Sequence, residues 1–273
     1  MVNYLASKYQ SNKQQALLQG YIKSMLVVES GTPQSPMQRL PFFADGLPGI
    51  VISLADDTLY LNGDEKKLPE VFVYGQTVKP IDITAYTGCK IMIIYLYPHV
   101  LKSLFGIDAS LLADTCLDVD LLKMKGFASL KEQIADCRST EEQKALLGGL
   151  LTERIHQQAK IPEKDLHYAT DLLLRTKGNI PLQTLYEEVN LTERTFERKF
   201  LAHVGITPSL FSRICRFQAA ITQLRSGKPF TLTAIAYDNG FADQSHMGRT
   251  FKEFTGLTPA QYQLQYQMAR ENW

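Results

Sequence analysis

A chain of 273 residues with a formal net charge of +1, 45% hydrophobic and 21% charged, is long enough for two domains of ordinary size. Its longest apolar run, Ile91 to Tyr97, is far too short to span a bilayer, and the N-terminus lacks a charged-then-apolar signal pattern. Cys89, Cys116, Cys137 and Cys215 show no CxxC spacing, so a cytoplasmic protein with reduced, mostly buried thiols is expected, without a disulfide framework.

From about residue 22 to 100 the chain alternates short β-rich runs with turn residues. The runs are Ile22–Val28, Gly49–Leu54, Thr58–Leu61, Val71–Tyr74, Ile81–Tyr86 and Lys90–Tyr97; the breaks include Ala55-Asp56-Asp57 and Asn62-Gly63-Asp64. Closely spaced strands with such turns predict a small antiparallel barrel or sandwich. The acidic pairs Asp56-Asp57 and Asp64-Glu65 fall in those turns and read as solvated loops. From about residue 99 the period becomes helical. Thr140-Glu141-Glu142-Gln143 fits a capping box. Leu146, Leu147, Leu150, Leu151 and Ile155 form a stripe after it, which either packs on its own barrel or supplies a dimer contact. Pro162 marks the domain boundary, giving a β-rich sensor or dimerisation domain with trailing helices at 1–158 and a second domain at 159–273.

The first domain carries little that could do chemistry. Residues 1–155 contain one histidine, His99, and the chain has no HxH, GxSxG, phosphate-cradling or HExxH motif. Cys89 beside Lys90 reads as a strand cysteine. No enzyme activity, metal or cofactor is expected.

The second domain repeats itself. Residues 191–213 and 242–264 align at an offset of about 51, placing Arg198 on Arg249, Phe200 on Phe251, Gly205 on Gly256 and Thr207-Pro208 on Thr258-Pro259. Upstream the offset drops by one, so the second copy has an extra residue in its turn. Each copy punctuates itself as three helices. Pro181 or Thr231 starts the first, Asn190 or Gly240 occupies a turn, and Thr192 or Asp243 caps the second. Gly205 or Gly256 stops that helix, and Thr-Pro opens the third. Leu210, Ile214, Phe217, Ile221 and Leu224 recur at spacings of 4, 3, 4 and 3, predicting one long helix between the copies, ended by Gly227. The predicted fold is therefore a multidomain α+β protein, with the N-terminal barrel or sandwich followed by an all-α domain. Motif 1 spans about 180–205, the linker helix about 207–226 and motif 2 about 231–256.

Gly240-Phe241-Ala242-Asp243-Gln244-Ser245-His246-Met247, followed by Arg249, Phe251, Lys252, Gly256, Thr258, Pro259 and Tyr262, resembles the DNA-binding domain of the AraC/XylS family of bacterial transcription regulators. The resemblance covers roughly residues 164–268. Tyr186 departs from it, standing where the tight helix crossing usually takes alanine, as Ala236 does in the second copy. More loosely, the segment from Leu40-Pro41 to Leu122, with Pro41-Phe42-Phe43-Ala44-Asp45-Gly46, is similar to an N-terminal domain fused to some of these regulators, related in outline to cupin-like sensor barrels.

The resemblance implies a regulator that reads double-stranded DNA with two recognition helices. If Phe196 and Phe200 face inward, Arg194, Glu197 and Arg198 face outward; Met247 and Phe251 place Gln244, Ser245 and Arg249 likewise. Arg194 suits guanine, Glu197 cytosine and Gln244 adenine. The family positions that touch bases coincide with these six. For Arg198 and Arg249, a shared ion pair or phosphate contact stays open. Lys199, Arg213, Arg216 and Lys228 are phosphate candidates, supported by seven basic against two acidic residues within 193–228. His246 reads as a helix residue without a metal partner. The sequence leaves open a small-molecule effector, a homodimer, RNA polymerase as the partner of an activator, and two alternatives in which the first domain is a cupin-like enzyme or a purely protein-binding module. A fragment starting near residue 160 is expected to fold and to bind one site as a monomer.

Overall fold

A computed structural model describes residues 17–29, 37–54, 59–61, 66–86, 90–123, 127, 129–158 and 164–271. Cys89, Pro162, Asp56-Asp57 and the turn 62–65 lie outside the described residues.

The first half is built from strands β1 (Ile22–Glu29), β2 (Met37–Phe42), β3 (Gly49–Ser53), β4 (Leu59–Leu61), β5 (Lys66–Lys67), β6 (Val71–Tyr74), β7 (Ile81–Tyr86), β8 (Lys90–Leu96) and β9 (Cys116–Asp118). They form two antiparallel sheets, one in the order β1-β8-β3-β6-β9 and the other β2-β7-β4-β5. The strands read from sequence at 71–74 and 81–86 stand at those bounds, and the other four end within a residue of theirs. Those not read, β2, β5 and β9, are all edge strands. Edges carry the residues that interiors reject: β2 contains Pro41, which has no N–H for a ladder, and β5 is two exposed lysines.

β3 and β8 are apolar without interruption because both their faces are covered. Val51, Ile91 and Ile93 point between the sheets, with Phe72 and Ile83. Ile50, Ile52, Met92, Ile94 and Leu96 point the other way, into a core shared with helices α1 (Leu101–Phe105), α2 (Leu130–Ala135) and α3 (Thr140–Gln158). The N-terminal cap of α3 lies one residue earlier than the sequence implies. Ser139 Oγ accepts from Glu142 N at 3.2 Å, while Gln143 is buried and donates to Ile134 O. The stripe on α3 is spent internally. Leu147 and Leu151 are buried in this core, and Leu146, Leu150 and Ile155 pack against it, as the internal reading of the stripe expects.

The second half is helical: α4 (Lys164–Arg175), α5 (Leu182–Glu188), α6 (Glu193–Val204), α7 (Pro208–Arg225), α8 (Leu232–Asp238), α9 (Gln244–Thr255) and α10 (Pro259–Glu271). No helix among the described residues is long and apolar enough to cross a membrane. Cys116, Cys137 and Cys215 are free thiols, but only Cys215 is fully buried, so the expectation of mostly buried cysteines does not hold for the other two.

The halves meet along one seam. The β2–β3 loop presses Ala44 into the helical core, where it is fully buried; Gln218 Nε2 donates to Ala44 O, and Phe43 packs edge-on against Tyr262. The 3-10 turn at 109–112 packs on α6. Between these contacts, His99 meets α4. Thr170 Oγ1 donates to Leu166 O at 2.8 Å, so it accepts from His99 Nδ1–H at 3.1 Å. That leaves His99 Nε2 to accept from His167 Nδ1–H at 3.2 Å. Burial, and then the nearby His167 and His203, lower the pKa of His99 to about 3, so it stays neutral in the fold.

Two outcomes follow from this packing. Leu147→Ala should destabilise the N-terminal domain by about 2–5 kcal/mol in thermal or chemical melts, without altering the sedimentation of the folded protein. Because an unfolded histidine binds its proton near pH 6.5 and folded His99 does not, stability should fall as pH drops from about 6.5 toward 4. His99→Asn should flatten that acid limb of a Tm-versus-pH profile; an unchanged slope would assign the loss to other groups.

Candidate nucleic-acid interface

Each helix-turn-helix is assembled by the residues that the repeat singles out. In the first, α5 ends at Val189, Asn190 takes φ 52°, and Thr192 caps α6 by accepting from Thr195 N. In the second, α8 ends at Asn239, Gly240 takes φ 73°, and Asp243 Oδ1 accepts from His246 N at 2.6 Å to cap α9. The extra residue in the second turn is visible: the N-cap follows the preceding C-cap by four positions rather than three. Thr207 and Thr231 likewise cap α7 and α8. Each oxygen satisfies a backbone N–H that has no partner inside the helix.

Packing turns the helices as the sequence predicts. Phe196 and Phe200 on α6, and Met247 and Phe251 on α9, are fully buried. Tyr186, the departure from the family pattern, is accommodated by packing its tilted ring against Phe196, with centroids 5.3 Å apart. Linker helix α7 joins the motifs. Phe211 packs on Phe200 at 5.7 Å, and Phe217 on Phe251 and Phe254 at 5.0 and 5.1 Å.

The opposite faces are open. Arg194, Glu197 and Arg198 on α6 are exposed, as are Gln244, Ser245 and Arg249 on α9. Gln244 Oε1 accepts from Thr233 Oγ1 at 3.0 Å, a restraint from α8 that leaves its amide N–H groups outward; the repeat pattern gave no hint of it. His246 rests against Phe241 and accepts from Ala242 N, consistent with a helix residue of local role.

The phosphate candidates divide. Lys228 is exposed in the α7–α8 connection, and Lys199 is half-buried. Arg213 pairs with Glu253 and lies over the Phe254 ring, tying α7 to α9. Arg216 donates through Nε to Gly178 O at 3.0 Å and through its guanidinium to Ser212 Oγ, bracing the α4–α5 turn. Burial lowers its pKa, although it remains a cation. Among the described residues no group of three or more His, Cys, Asp or Glu is arranged to hold a metal.

Gly205 ends α6 with φ 95°, and a Cβ there would stand 2.7 Å from Ala109 O on the N-terminal domain. Gly256 ends α9 with φ 75°, and a Cβ there would meet nothing within 4 Å. Alanine at Gly256 should therefore cost about 1 kcal/mol of backbone strain, and alanine at Gly205 distinctly more in the full chain. Paired thermal melts check the order; equal losses would mean the domain contact at Ala109 contributes nothing.

Comparison with known proteins matches a helix-turn-helix domain family to residues 185–265 and a domain of unknown function, DUF6597, to residues 14–118. Among curated relatives, an uncharacterized HTH-type transcriptional regulator of Haemophilus influenzae is 29% identical over 91 residues, covering 33% of this chain and 30% of that protein. Another from Staphylococcus aureus is 34% identical over 98 residues, 36% of this chain and 12% of its own length. The chain thus spans less than a third of the length of these relatives. Among solved structures, ToxT from Vibrio cholerae O395 is 13% identical, with a TM-score of 0.48 over 89% of this chain and 98% of that one. ToxT bound to (E)-4-(8-methylnaphthalen-1-yl)but-3-enoic acid gives 0.46 at 13% identity, over 85% and 100%.

Proposed function

We propose that this chain, which belongs to the AraC family by its C-terminal double helix-turn-helix domain, is a cytoplasmic transcription regulator whose two recognition helices read adjacent major-groove segments of one DNA site. One observation carries the reading: two capped helices, held by the same linker helix, each leave three side chains able to reach base edges exposed at the surface. Arg194, Glu197 and Arg198 serve one groove segment, and Gln244, Ser245 and Arg249 the next. Among the described residues neither Arg198 nor Arg249 has a hydrogen-bond or ion-pair partner, which favours contact with DNA over a structural pair. Lys228 and Lys199 supply phosphate contacts. Arg213 and Arg216 reach phosphates only where their own domain leaves an N–H free. Successive major-groove faces lie about 34 Å apart, so a rigid linker fixes both the site length and any bend imposed on the duplex.

The N-terminal domain acts as a signal-receiving module, and as an activator the protein would contact RNA polymerase. Between the two sheets lies a cavity of about 80 Å³ lined by Phe42, Val51, Leu68, Phe72, Tyr74 and Ile83, among others. Tyr74, one of the lining residues, carries a buried hydroxyl without a hydrogen-bond partner among the described residues. Phe42 leads directly into the loop seated on α7, which supports passage of a signal from this cavity to the linker helix. A homodimer, if formed, uses a surface other than the buried stripe of α3.

Selection of bound sequences from random DNA at stated salt tests the function directly. Arg194→Ala and Gln244→Ala should each cost about 1–3 kcal/mol of specific binding and relax preference at different parts of the site. Lys228→Ala should weaken all sequences alike and reduce the salt slope by about one unit. Loss of the same base pair in both base-reading variants would contradict two docked helices, and no enrichment at any salt would overturn DNA reading itself.

A further inference from the structure

The two helix-turn-helix copies differ at a position that the repeat aligns. Gln183 on α5 and Thr233 on α8 match at the upstream offset of 50, each second in its helix. Gln183 Nε2 donates to Glu187 Oε1 at 3.0 Å, one turn along its own helix. Thr233 instead reaches across the turn, its hydroxyl donating at 3.0 Å to Oε1 of Gln244, the first residue of α9. The reason is local. Thr170, Thr222 and Thr250 lie well inside their helices and donate to the carbonyl four residues back. Thr233 has no helical carbonyl one turn behind it, because α8 begins at Leu232. Its hydroxyl is thereby available to the neighbouring helix.

Both side chains are exposed, so the bond contributes little to folding. Its effect is on the conformation of Gln244. A glutamine amide carries two acceptor sites on its oxygen and two N–H donors. The Thr233 hydroxyl takes one acceptor site, and the other stays open beside both N–H groups. That edge is the pair adenine requires, an acceptor for its N6–H and a donor to its N7. A glutamine without a neighbour has to surrender rotamer freedom before it can use the edge. Gln244 is already held.

Resting on the DNA-reading role set out above, we propose that Thr233 is a positioning residue for base recognition. It holds Gln244 with acceptor and donor side by side, so that the second motif reads adenine. Helix α8, which otherwise only supports the recognition helix, thus takes part in specificity. Gln183, its counterpart in the first motif, has no such role.

Selection from random DNA with the full chain, followed by competition binding at one salt concentration, tests this. The base pair whose preference disappears in Gln244→Ala should carry adenine. Thr233→Val, which replaces the hydroxyl by a methyl group, should weaken the selected site about three- to tenfold, the penalty for immobilising one free side chain. It should erode the preference for adenine at that pair alone, with circular dichroism unchanged. Thr233→Ser, which keeps the hydroxyl, should bind and discriminate as the wild type does. In the Gln244→Ala background Thr233→Val should have no effect, since the residue it positions is gone. Gln183→Ala should leave the preference at that pair intact. Another base at that pair, an undiminished preference in Thr233→Val, an equal loss in both backgrounds, or a loss spread evenly over all sequences would overturn the inference. The last result would make Thr233 a phosphate contact. An enriched site without the adenine sinks this proposal alone, whereas no enriched site at any salt sinks the reading of DNA with it.

Discussion

Helix α7 has to satisfy three neighbours at once, and the rest of the molecule is arranged around that demand. One end carries Phe211 against the first recognition helix, and the middle carries Phe217 against the second. A further face receives the N-terminal loop, where Gly46 lies over Phe211 and Ile214 and Gln218 holds Ala44 O. Nine of the helix's 18 residues are buried. A helix that spends so much of its circumference on packing has little polar face left, in contrast to a surface helix with a single apolar stripe. The relative placement of α6 and α9 cannot change by bending this joint without repacking aromatic contacts that interlock like the rest of a protein interior.

The N-terminal domain touches α6 at the end opposite the residues proposed to read bases. Arg194, Glu197 and Arg198 occupy the first half of α6, whereas Ala109 approaches its C-cap, Gly205. Both lie on one rigid helix of twelve residues and its cap. In the proposed DNA-reading role, a displacement at the Ala109 contact would reach the groove as a tilt of α6. Energetically little is required: a tenfold change in affinity corresponds to about 1.4 kcal/mol, comparable to one or two hydrogen bonds in the seam.

Much of the helical domain was legible in the sequence because its signals are local. Thr192, Asp243, Thr207 and Thr231 each bond to a backbone N–H within three residues, and Gly205 and Gly256 each end a helix by their own φ. The inward turn of Phe196 and Met247 follows from helical spacing alone. The interior strands were legible for the same reason, since β-branched runs between turn residues need no knowledge of partners. What escaped depends on distant contacts. β2 holds Pro41 and Arg39 and becomes a strand only through its ladder to β7. Arg216 reads as a phosphate ligand until Gly178 O is seen beside it, 38 positions away. Ala44 gives no local sign of its place, yet it is buried in the core of the other domain. The stripe on α3 could be seen but not its partner, because an apolar face looks the same whether it meets its own barrel or a second chain.

The same core membership of Ala44 alters what a domain boundary means in this chain. Helices α4 to α10 close around their own aromatics and look self-sufficient, which is why a fragment from residue 160 seemed complete. Yet the patch where Phe211, Ile214 and Tyr262 receive the loop is apolar and would be bared to water by removing residues 1–158. Around that patch the seam is polar: His99 with Thr170 and His167, Gln218 with Ala44 O, Asp45 beside open space. Polar partners can exchange one another for water at small net cost, whereas buried methyl groups cannot. The seam therefore joins a small apolar plug that favours closure to a polar surround that makes opening inexpensive. Interfaces between domains that move relative to one another have this mixed character, in contrast to the unbroken apolar cores on either side.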